Sequence, residues 1–246
     1  MKIAVISGAS SGIGRSFAKE LDLYGLDEIW LIARNSEKLE GISKTLSTKA
    51  VILPLDLEKE DSFDTLCKLY ETEKPSISYL VCSAGVGYSG TFESLTPDKI
   101  QAMINLNCTA LTLLTSISLP YLENGSKVIE IASGAGFLPQ PYFSVYASSK
   151  SYVISFSRAL RAEIRKRGIN VTAVCPGPVD TNFFSSLENV KEYKKKFLIS
   201  PDKVAKHALK SAKKGKAMSS PSLSMKLVHL VSKIVPTSLI LKFYKQ

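Results

Sequence analysis

The clearest catalytic candidates in the sequence are Tyr146 and Lys150, the first and last residues of Tyr-Ala-Ser-Ser-Lys in a predicted helix. Residues four apart lie on one face of a helix, so the phenol and the ammonium can share a site. A phenol has a pKa of about 10, and a neighbouring cation lowers that pKa toward neutrality. The pair is suited to general acid–base catalysis, although the same spacing is common on ordinary helix surfaces.

Ser133 lies upstream of this pair, directly after the apolar run Lys127–Ala132. That run predicts a strand, and ligands of parallel sheets bind at the carboxyl ends of the strands. The Ser133 hydroxyl is then within reach of Tyr146. Two hydroxyl groups beside one substrate oxygen can stabilise negative charge that develops there.

A glycine-rich turn, Ser7–Gly14, joins the first predicted strand to the first predicted helix. The free N–H groups of a helix N-terminus attract anions, and glycines let a phosphate approach the backbone. Glycine also occurs in such turns for backbone geometry alone, so the turn by itself is weak evidence. It predicts a nucleotide-binding site at the carboxyl edge of the sheet.

The elements that must position these residues alternate along the chain. Six apolar runs predict strands, at Lys2–Ser7, Glu28–Ala33, Val51–Leu55, Tyr79–Ser83, Lys127–Ala132 and Asn170–Cys175. Amphipathic stretches between them predict helices, one of which begins at Pro97, is broken once and ends near Pro120. The alternation predicts an α/β fold, with a single doubly wound domain, a parallel sheet of about seven strands and helices on both faces. We expect a catalytic domain over residues 1–215 and a C-terminal extension over residues 216–246.

The composition is that of an ordinary globular protein, with 45% apolar and 22% charged residues in a chain of 246. It excludes disordered, collagen-like and disulfide-scaffold proteins. The four cysteines have no C-x-x-C spacing and lie in apolar stretches, which predicts buried thiols in a reducing, cytoplasmic location. Two histidines are too few for a histidine-rich metal site, so no metal is expected. No run approaches the roughly 18 apolar residues of a membrane-spanning helix.

The glycine spacing G-x-x-x-G-x-G, the Tyr-x-x-x-Lys pair and the turn Pro176–Thr181 occur together in one known family. The sequence resembles the short-chain dehydrogenases/reductases over residues 3 to about 215. The resemblance implies a Rossmann-like fold, a homodimer or homotetramer, and hydride transfer between a nicotinamide cofactor and a carbonyl group. Tyr146 would donate the proton, and Lys150 would lower the pKa of Tyr146 and bind the nicotinamide ribose. The implied catalytic residues are Asn105, Ser133, Tyr146 and Lys150, whereas Asn107 aligns with a variable position.

The second predicted strand ends at Ala33-Arg34, where a cofactor with a free 2′-hydroxyl usually meets an acidic residue. The Arg34 guanidinium matches a phosphate instead, which favours NADP(H) unless Arg34 is simply a solvated surface residue. Cys82 and Ser83 stand where the family usually has two asparagines, so the hydrogen bonds of those amides must come from elsewhere. The expected cofactor-binding residues are Gly8, Ser10, Ser11, Gly12, Ile13, Gly14, Arg34, Asp56, Leu57, Ser83, Ala84, Gly85, Tyr146, Lys150, Pro176, Gly177, Val179 and Thr181.

The excess of positive charge lies at the end of the chain. Residues 1–190 contain 18 basic and 20 acidic side chains, whereas residues 191–246 contain 14 lysines and two acidic residues, a net charge of +12. Apolar side chains recur at helical spacing among these lysines, which indicates a basic amphipathic segment. The segment could cap the substrate cleft, form a dimer surface or contact a membrane. Nucleic-acid binding is disfavoured because no aromatic residues alternate with the lysines.

Two loops rich in aromatic residues and leucine, Gly134–Phe143 and Asn182–Leu187, predict an apolar pocket, unless these residues only pack the loops onto the domain. Such a pocket favours a lipophilic ketone, for example a 3-oxoacyl or steroid-like substrate. The sequence as a whole favours an NADP(H)-dependent carbonyl reductase that is cytoplasmic or membrane-associated. The alternative is a catalytically silent NADP(H)-binding sensor or scaffold protein, which would not need all four catalytic residues.

Overall fold

Seven parallel strands form one sheet in the computed structural model, which describes residues 1–185 and 198–242. The strands are β1 (Lys2–Ser7), β2 (Glu28–Ile32), β3 (Lys49–Leu53), β4 (Ser76–Cys82), β5 (Leu122–Ile131), β6 (Asn170–Val174) and β7 (Met218–Ser219). Their order across the sheet is β3-β2-β1-β4-β5-β6-β7. The direction of winding reverses between β1 and β4, and such a reversal opens a crevice at the carboxyl ends of the strands. The predicted α/β fold is confirmed.

Helices cover both faces of the sheet. They are α1 (Gly12–Leu21), α2 (Ser36–Ser43), α3 (Glu60–Glu73), α4 (Pro97–Ile104), α5 (Leu111–Ser118), α6 (Ser144–Glu163), α7 (Asn182–Ser185), α8 (Pro201–Lys213), α9 (Leu223–Ile234) and α10 (Thr237–Lys242). Apolar side chains of α1, α2 and α8 pack on one face, and those of α3, α5 and α6 pack on the other. The strands β1, β2 and β6 between them are buried on both faces, which is why they read as nearly continuous apolar runs.

A π-helical segment, Asn105–Ala110, joins α4 to α5. The whole stretch Pro97–Tyr121 is long and apolar enough to cross a membrane by length and composition, with a mean hydropathy of 1.4 in its best window. In the fold, 44% of that window is buried, and Leu111 and Leu114 pack into the core. The stretch therefore packs one side against the core of the protein. The sequence shows no unbroken apolar run here because polar residues interrupt the stretch Pro97–Tyr121.

The sheet continues past the boundary expected at residue 215. β7 pairs with β6 through Met218 and Ser219, so the catalytic sheet includes two residues assigned to the extension. The side-chain hydroxyl of Thr172 also donates to the carbonyl of Lys216 at 2.7 Å. The segment beyond the sheet forms α9 and α10, as the amphipathic pattern predicted. Its last four residues, 243–246, lie outside the described part of the chain.

Candidate active site

A cavity of about 1850 Å³ runs along the carboxyl edge of the sheet, from the glycine turn to the start of α6. Ser133, Tyr146 and Lys150 line one end, and Arg34 and Asp56 line the other. Of the residues expected to bind cofactor or to catalyse, all line this cavity except Gly14 and Asn105. The cavity is continuous, so one elongated ligand could contact both ends.

The glycine turn forms a backbone cradle that side chains would fill. A Cβ at Gly8 would lie 2.8 Å from the backbone nitrogen of Ala84, and one at Gly14 would collide with the carbonyl oxygen of Gly8. Gly8 and Gly12 also have positive φ angles, +66° and +51°, which glycine adopts without strain. Gly14 thus serves by letting α1 pack against the turn. A cradle of this shape at the N-terminus of a helix fits a pyrophosphate.

The catalytic groups meet where β5 ends and α6 begins. Tyr146 and Lys150 are both buried, and Nζ of Lys150 donates a hydrogen bond to the carbonyl of Ile131 at 2.9 Å. Ser133 accepts a hydrogen bond from the backbone N–H of Ala135 at 3.1 Å and shares another with Tyr146. The sequence prediction that these three side chains share one site agrees with the geometry.

The pKa of Tyr146 lies above the ordinary value of a phenol, whereas the sequence predicts that Lys150 lowers it. Burial raises the pKa of Tyr146 to about 12, and the hydrogen bond with Ser133 opposes the rise. Nζ of Lys150 is bonded to the carbonyl of Ile131 and lies 5.7 Å from the centre of the Tyr146 ring. Burial also lowers the pKa of Lys150 to about 8. Tyr146 therefore holds its proton at neutral pH and can act as a proton donor.

Asn107, rather than Asn105, faces the catalytic residues. Its Oδ1 accepts from the N–H of Val86 at 2.9 Å, and its Nδ2 donates to the carbonyl of Val86 at 2.9 Å and to Oγ of Ser149 at 3.0 Å. A Cβ at Gly85 would lie 2.9 Å from Oδ1 of Asn107 and 3.4 Å from Nζ of Lys150, so both side chains flank that glycine.

Asn105 is only partly buried, and neither asparagine lines the cavity. The choice of Asn105 from the sequence stays a prediction, but the contacts with Ser149 and Gly85 beside Lys150 are made by Asn107. The physical reason is the π-helical segment, which contains both asparagines and turns more slowly per residue than an α-helix. The change in pitch presents Asn107, which is completely buried, toward α6.

Ser7 supplies hydrogen bonds in the loop after β4, where the family's two asparagines are missing. Its Oγ accepts from the N–H of Ser83 at 3.0 Å and from the N–H of Ala84 at 3.2 Å. The end of β1 and the loop after β4 are thereby held together beside the glycine turn. Cys82, the other replaced position, is buried, and its thiol contacts the hydroxyl of Thr115 at 3.6 Å.

Glu130 is a buried carboxyl group that the sequence did not bring to attention. Burial raises its pKa to about 8, although the hydrogen bond with Thr115 and the charge of Lys150 oppose the rise. The single hydroxyl proton of Thr115 has two acceptors, the carbonyl of Leu111 at 2.8 Å and Oε1 of Glu130 at 3.0 Å. When the Thr115 hydroxyl donates to the carbonyl of Leu111, a protonated Glu130 can donate to the oxygen of that hydroxyl. Oε2 has no hydrogen-bond partner within the described residues.

Arg34 lies at the other end of the cavity with a largely exposed side chain. Its guanidinium is 3.7 Å from Oε1 of Glu58, an ion pair that partly offsets its charge. Lys38, which the sequence analysis overlooked, lines the same end, and its backbone N–H donates to Oδ1 of Asn35 at 2.8 Å. Two cationic side chains therefore border the place where the second strand ends.

Apolar side chains surround the catalytic end. The rings of Phe143 and Phe183 lie 4.3 Å and 5.5 Å from the ring of Tyr146, measured between centroids. Met225 of α9 packs against two glycines, Gly134 and Gly177, whose lack of side chains makes room for its thioether. The predicted apolar pocket thus has walls from both expected loops and from the C-terminal extension. Ser186 and Leu187 of the second loop lie outside the described residues.

Comparison with known proteins assigns most of the chain to one family. The sequence model of the short chain dehydrogenases matches residues 2–192. An uncharacterized oxidoreductase of Staphylococcus epidermidis is 32% identical over 73% of this chain and 79% of its own length. Mouse 17-beta-hydroxysteroid dehydrogenase type 3 is 30% identical over 95% of this chain and 76% of its own length. A very-long-chain 3-oxoacyl-CoA reductase of Anas platyrhynchos is 35% identical over 72% of this chain and 60% of its own length.

Solved structures support the same fold. A short-chain dehydrogenase from Sphingobium yanoikuyae in complex with NADPH superposes with a TM-score of 0.81 at 24% identity, over 100% of this chain and 97% of that one. A 3-ketoacyl-(acyl-carrier-protein) reductase from Brucella melitensis complexed with NADH gives a TM-score of 0.77 at 22% identity, over 89% of this chain and 94% of that one.

Replacing Asn107 should be far more damaging than replacing Asn105. Asn107→Ala leaves the N–H and carbonyl of Val86 without their partner, which should lower the free energy of unfolding by about 1–3 kcal/mol. Asn105→Ala, the matched control two positions away, should change it by less than about 0.5 kcal/mol. Urea unfolding of the two variants measures both changes in the free energy of unfolding. Equal losses of stability would contradict the conclusion that Asn107 is the buried, hydrogen-bonded asparagine of the two.

Glu130→Gln should remove a pH dependence of stability. Between about pH 4.5 and pH 8 the buried carboxyl keeps a proton that the unfolded chain releases, so wild-type stability falls as pH rises through this window. Relative to wild type, the variant should gain up to about 1.4 kcal/mol per pH unit there. Urea unfolding from pH 5 to pH 8 measures the difference, with Glu71→Gln as the control for an exposed carboxyl. A difference in stability between variant and wild type that does not change with pH would refute the raised pKa of Glu130.

Proposed function

The chain belongs to the short-chain dehydrogenase/reductase family, and on that premise we propose that it is an NADP(H)-dependent reductase of lipophilic ketones. The observation that carries the proposal is one continuous cavity with Ser133, Tyr146 and Lys150 at one end and Arg34 at the other. Oxidation of the matching secondary alcohol uses the same groups in reverse.

The side chains at the catalytic end perform the proton chemistry. A nicotinamide cofactor, when bound, supplies the hydride. The hydroxyls of Ser133 and Tyr146 bind the substrate oxygen and stabilise the charge that develops on it. Tyr146, protonated at neutral pH, donates its proton to that oxygen. Lys150 holds a positive charge beside the site and, in this proposal, binds the ribose hydroxyls, while Asn107 takes the position expected of Asn105.

Residues along the cavity fit an NADP(H) molecule. The turn from Gly8 to Gly12 would hold the pyrophosphate, and Asp56 and Leu57 would contact the adenine. Arg34, assisted by Lys38, would bind a 2′-phosphate, which favours NADP(H) over NAD(H). The NADPH complex of the Sphingobium yanoikuyae enzyme supports this choice, whereas the NADH complex of the Brucella melitensis enzyme shows that the fold accommodates either cofactor.

The substrate class follows from the walls around Tyr146. Phe143 and Phe183 lie against its ring, and α9 adds Met225, Val228 and Val231 to the lining. An apolar chamber of this kind suits a long or bulky ketone. The names of two relatives, a 17-beta-hydroxysteroid dehydrogenase and a very-long-chain 3-oxoacyl-CoA reductase, are consistent with steroid-like or acyl substrates.

Tyr146→Phe should abolish ketone reduction while NADPH binding is retained. Loss of the proton donor should lower kcat at least about a hundredfold. Tyr152→Phe is the matched control, since Tyr152 lies on the same helix with its hydroxyl bonded to Thr112 at the surface. NADPH oxidation with a panel of hydrophobic ketones measures the rates. Tight NADPH binding by wild type without turnover of any ketone would instead support the silent sensor or scaffold.

Arg34→Ala should change the choice of cofactor. Loss of a phosphate-binding guanidinium should lower kcat/KM for NADPH about tenfold or more and leave kcat/KM for NADH nearly unchanged. Arg165→Ala, which removes an exposed arginine in the turn after α6, is the control. Equal effects of Arg34→Ala on both cofactors would refute a role in 2′-phosphate recognition.

A further inference from the structure

Helix α9 has two opposite apolar faces. Its inner face borders the substrate cavity through Met225 and Val228. Its outer face carries large apolar side chains that are between 55% and 81% exposed, namely Leu223, Leu227, Leu230 and Ile234. The spacing of four, three and four residues aligns these side chains in one stripe along the helix. We call this set the outer stripe.

The attachment of α9 to the domain is weak. None of its 12 residues is buried in the described structure. Met225 packs on Gly134 and Gly177, and the ring of His229 lies 4.5 Å from the ring of Phe137. An isolated helix of this length is marginal in water, so its stability must come from packing. A second apolar surface against the outer stripe would supply that packing.

The surroundings of the outer stripe are positively charged. Lys226 and Lys233 are exposed on α9 beside the stripe, and α10 ends with Lys242. Other cations lie close by. Burial and the charges of Lys226, Lys216 and Lys210 all lower the pKa of His207. Burial and the charges of Lys233 and Arg158 lower the pKa of His229. No acidic residue follows Asp202 in the sequence, so the extension contains no carboxylate side chain to neutralise this charge.

We propose that α9 and α10 dock on an anionic lipid bilayer, with the outer stripe among the acyl chains and the lysines at the headgroups. An exposed apolar stripe bordered by lysines is the pattern of helices that lie in a membrane interface. Lysines near such a surface strengthen binding by electrostatic attraction. The inner face of the same helix lines the substrate cavity, so docking places one wall of the cavity next to the lipid.

A second copy of the chain fits the same surface less well. A two-fold interface through the outer stripe would bring Lys226 and Lys233 of both copies into one contact region. The extension has no acidic side chain that could pair with them. An anionic bilayer offers both an apolar interior and the opposite charge.

Flotation with lipid vesicles tests the docking without reference to catalysis. The full-length protein should bind phosphatidylcholine vesicles containing phosphatidylglycerol at least about tenfold more strongly than vesicles of phosphatidylcholine alone, and added salt should weaken this binding. The double variant Leu227→Gln, Leu230→Gln should bind the anionic vesicles about tenfold or more weakly. Lys226→Gln, Lys233→Gln should lose the preference for phosphatidylglycerol.

Leu23→Gln is the matched control, because Leu23 is 80% exposed and lies outside the extension. It should bind vesicles like wild type, and thermal unfolding should show that all variants are folded. The proposal is wrong if wild type does not float with anionic vesicles, or if the Leu227→Gln, Leu230→Gln protein floats equally well. It is also wrong if those two substitutions only dissociate a dimer in sedimentation velocity, which would identify a second copy as the occupant.

A second measurement tests delivery of substrate from the lipid, which rests on the proposed function. Wild type should reduce a long-chain ketone dissolved in anionic vesicles at least about tenfold faster than the Leu227→Gln, Leu230→Gln variant does. Both proteins should reduce a short, water-soluble ketone at the same rate, because neither leucine lines the cavity. Equal rates on the vesicle-bound ketone would refute delivery. Absence of any ketone reduction would refute the proposed function and leave the vesicle-binding result intact.

Discussion

A buried ammonium group is the constraint around which the catalytic edge is built. Nζ of Lys150 has lost most of its hydration, and the carbonyl of Ile131 replaces water as a partner, which fixes α6 to the end of β5. Gly85 must lack a side chain because Asn107 and Lys150 flank it, and a Cβ at Gly136 would lie 2.6 Å from the backbone of Lys150. The positions of both catalytic hydroxyls follow, since one comes from the first turn of α6 and the other from the loop after β5.

Much of the architecture could be predicted because strands buried on both faces of a sheet appear in the sequence as short, nearly continuous apolar runs. The six predicted strands occur, and the Tyr146–Lys150 spacing brings both side chains to one cavity. The choice of Asn105 rests on its match to the family's motif, whereas in the structure a π-helical segment turns Asn107 inward. Hydropathy does not reveal such a local change in pitch. The spacing of Tyr146 and Lys150 also says nothing about desolvation, which is the largest influence on the pKa of Tyr146.

Other features depend on contacts between segments far apart in the chain. Glu130 lies in an apolar strand, and only the fold shows that Thr115 and Lys150 surround its carboxyl group. The strand β7 has two residues, too few for a hydrophobic period, and exists because β6 leaves an edge for it to pair with. The amphipathic pattern predicted α9, but not that its two faces have different roles. That distinction requires knowing which face meets the cavity.

The contact of Met225 with Gly134 and Gly177 makes the C-terminal extension part of the cavity wall. The residues expected to catalyse or to bind cofactor all precede α7 in the chain, whereas this part of the wall belongs to one contiguous segment near its end. A change of sequence in that segment would therefore alter the shape of the cavity and leave the buried hydrogen bond of Lys150 in place.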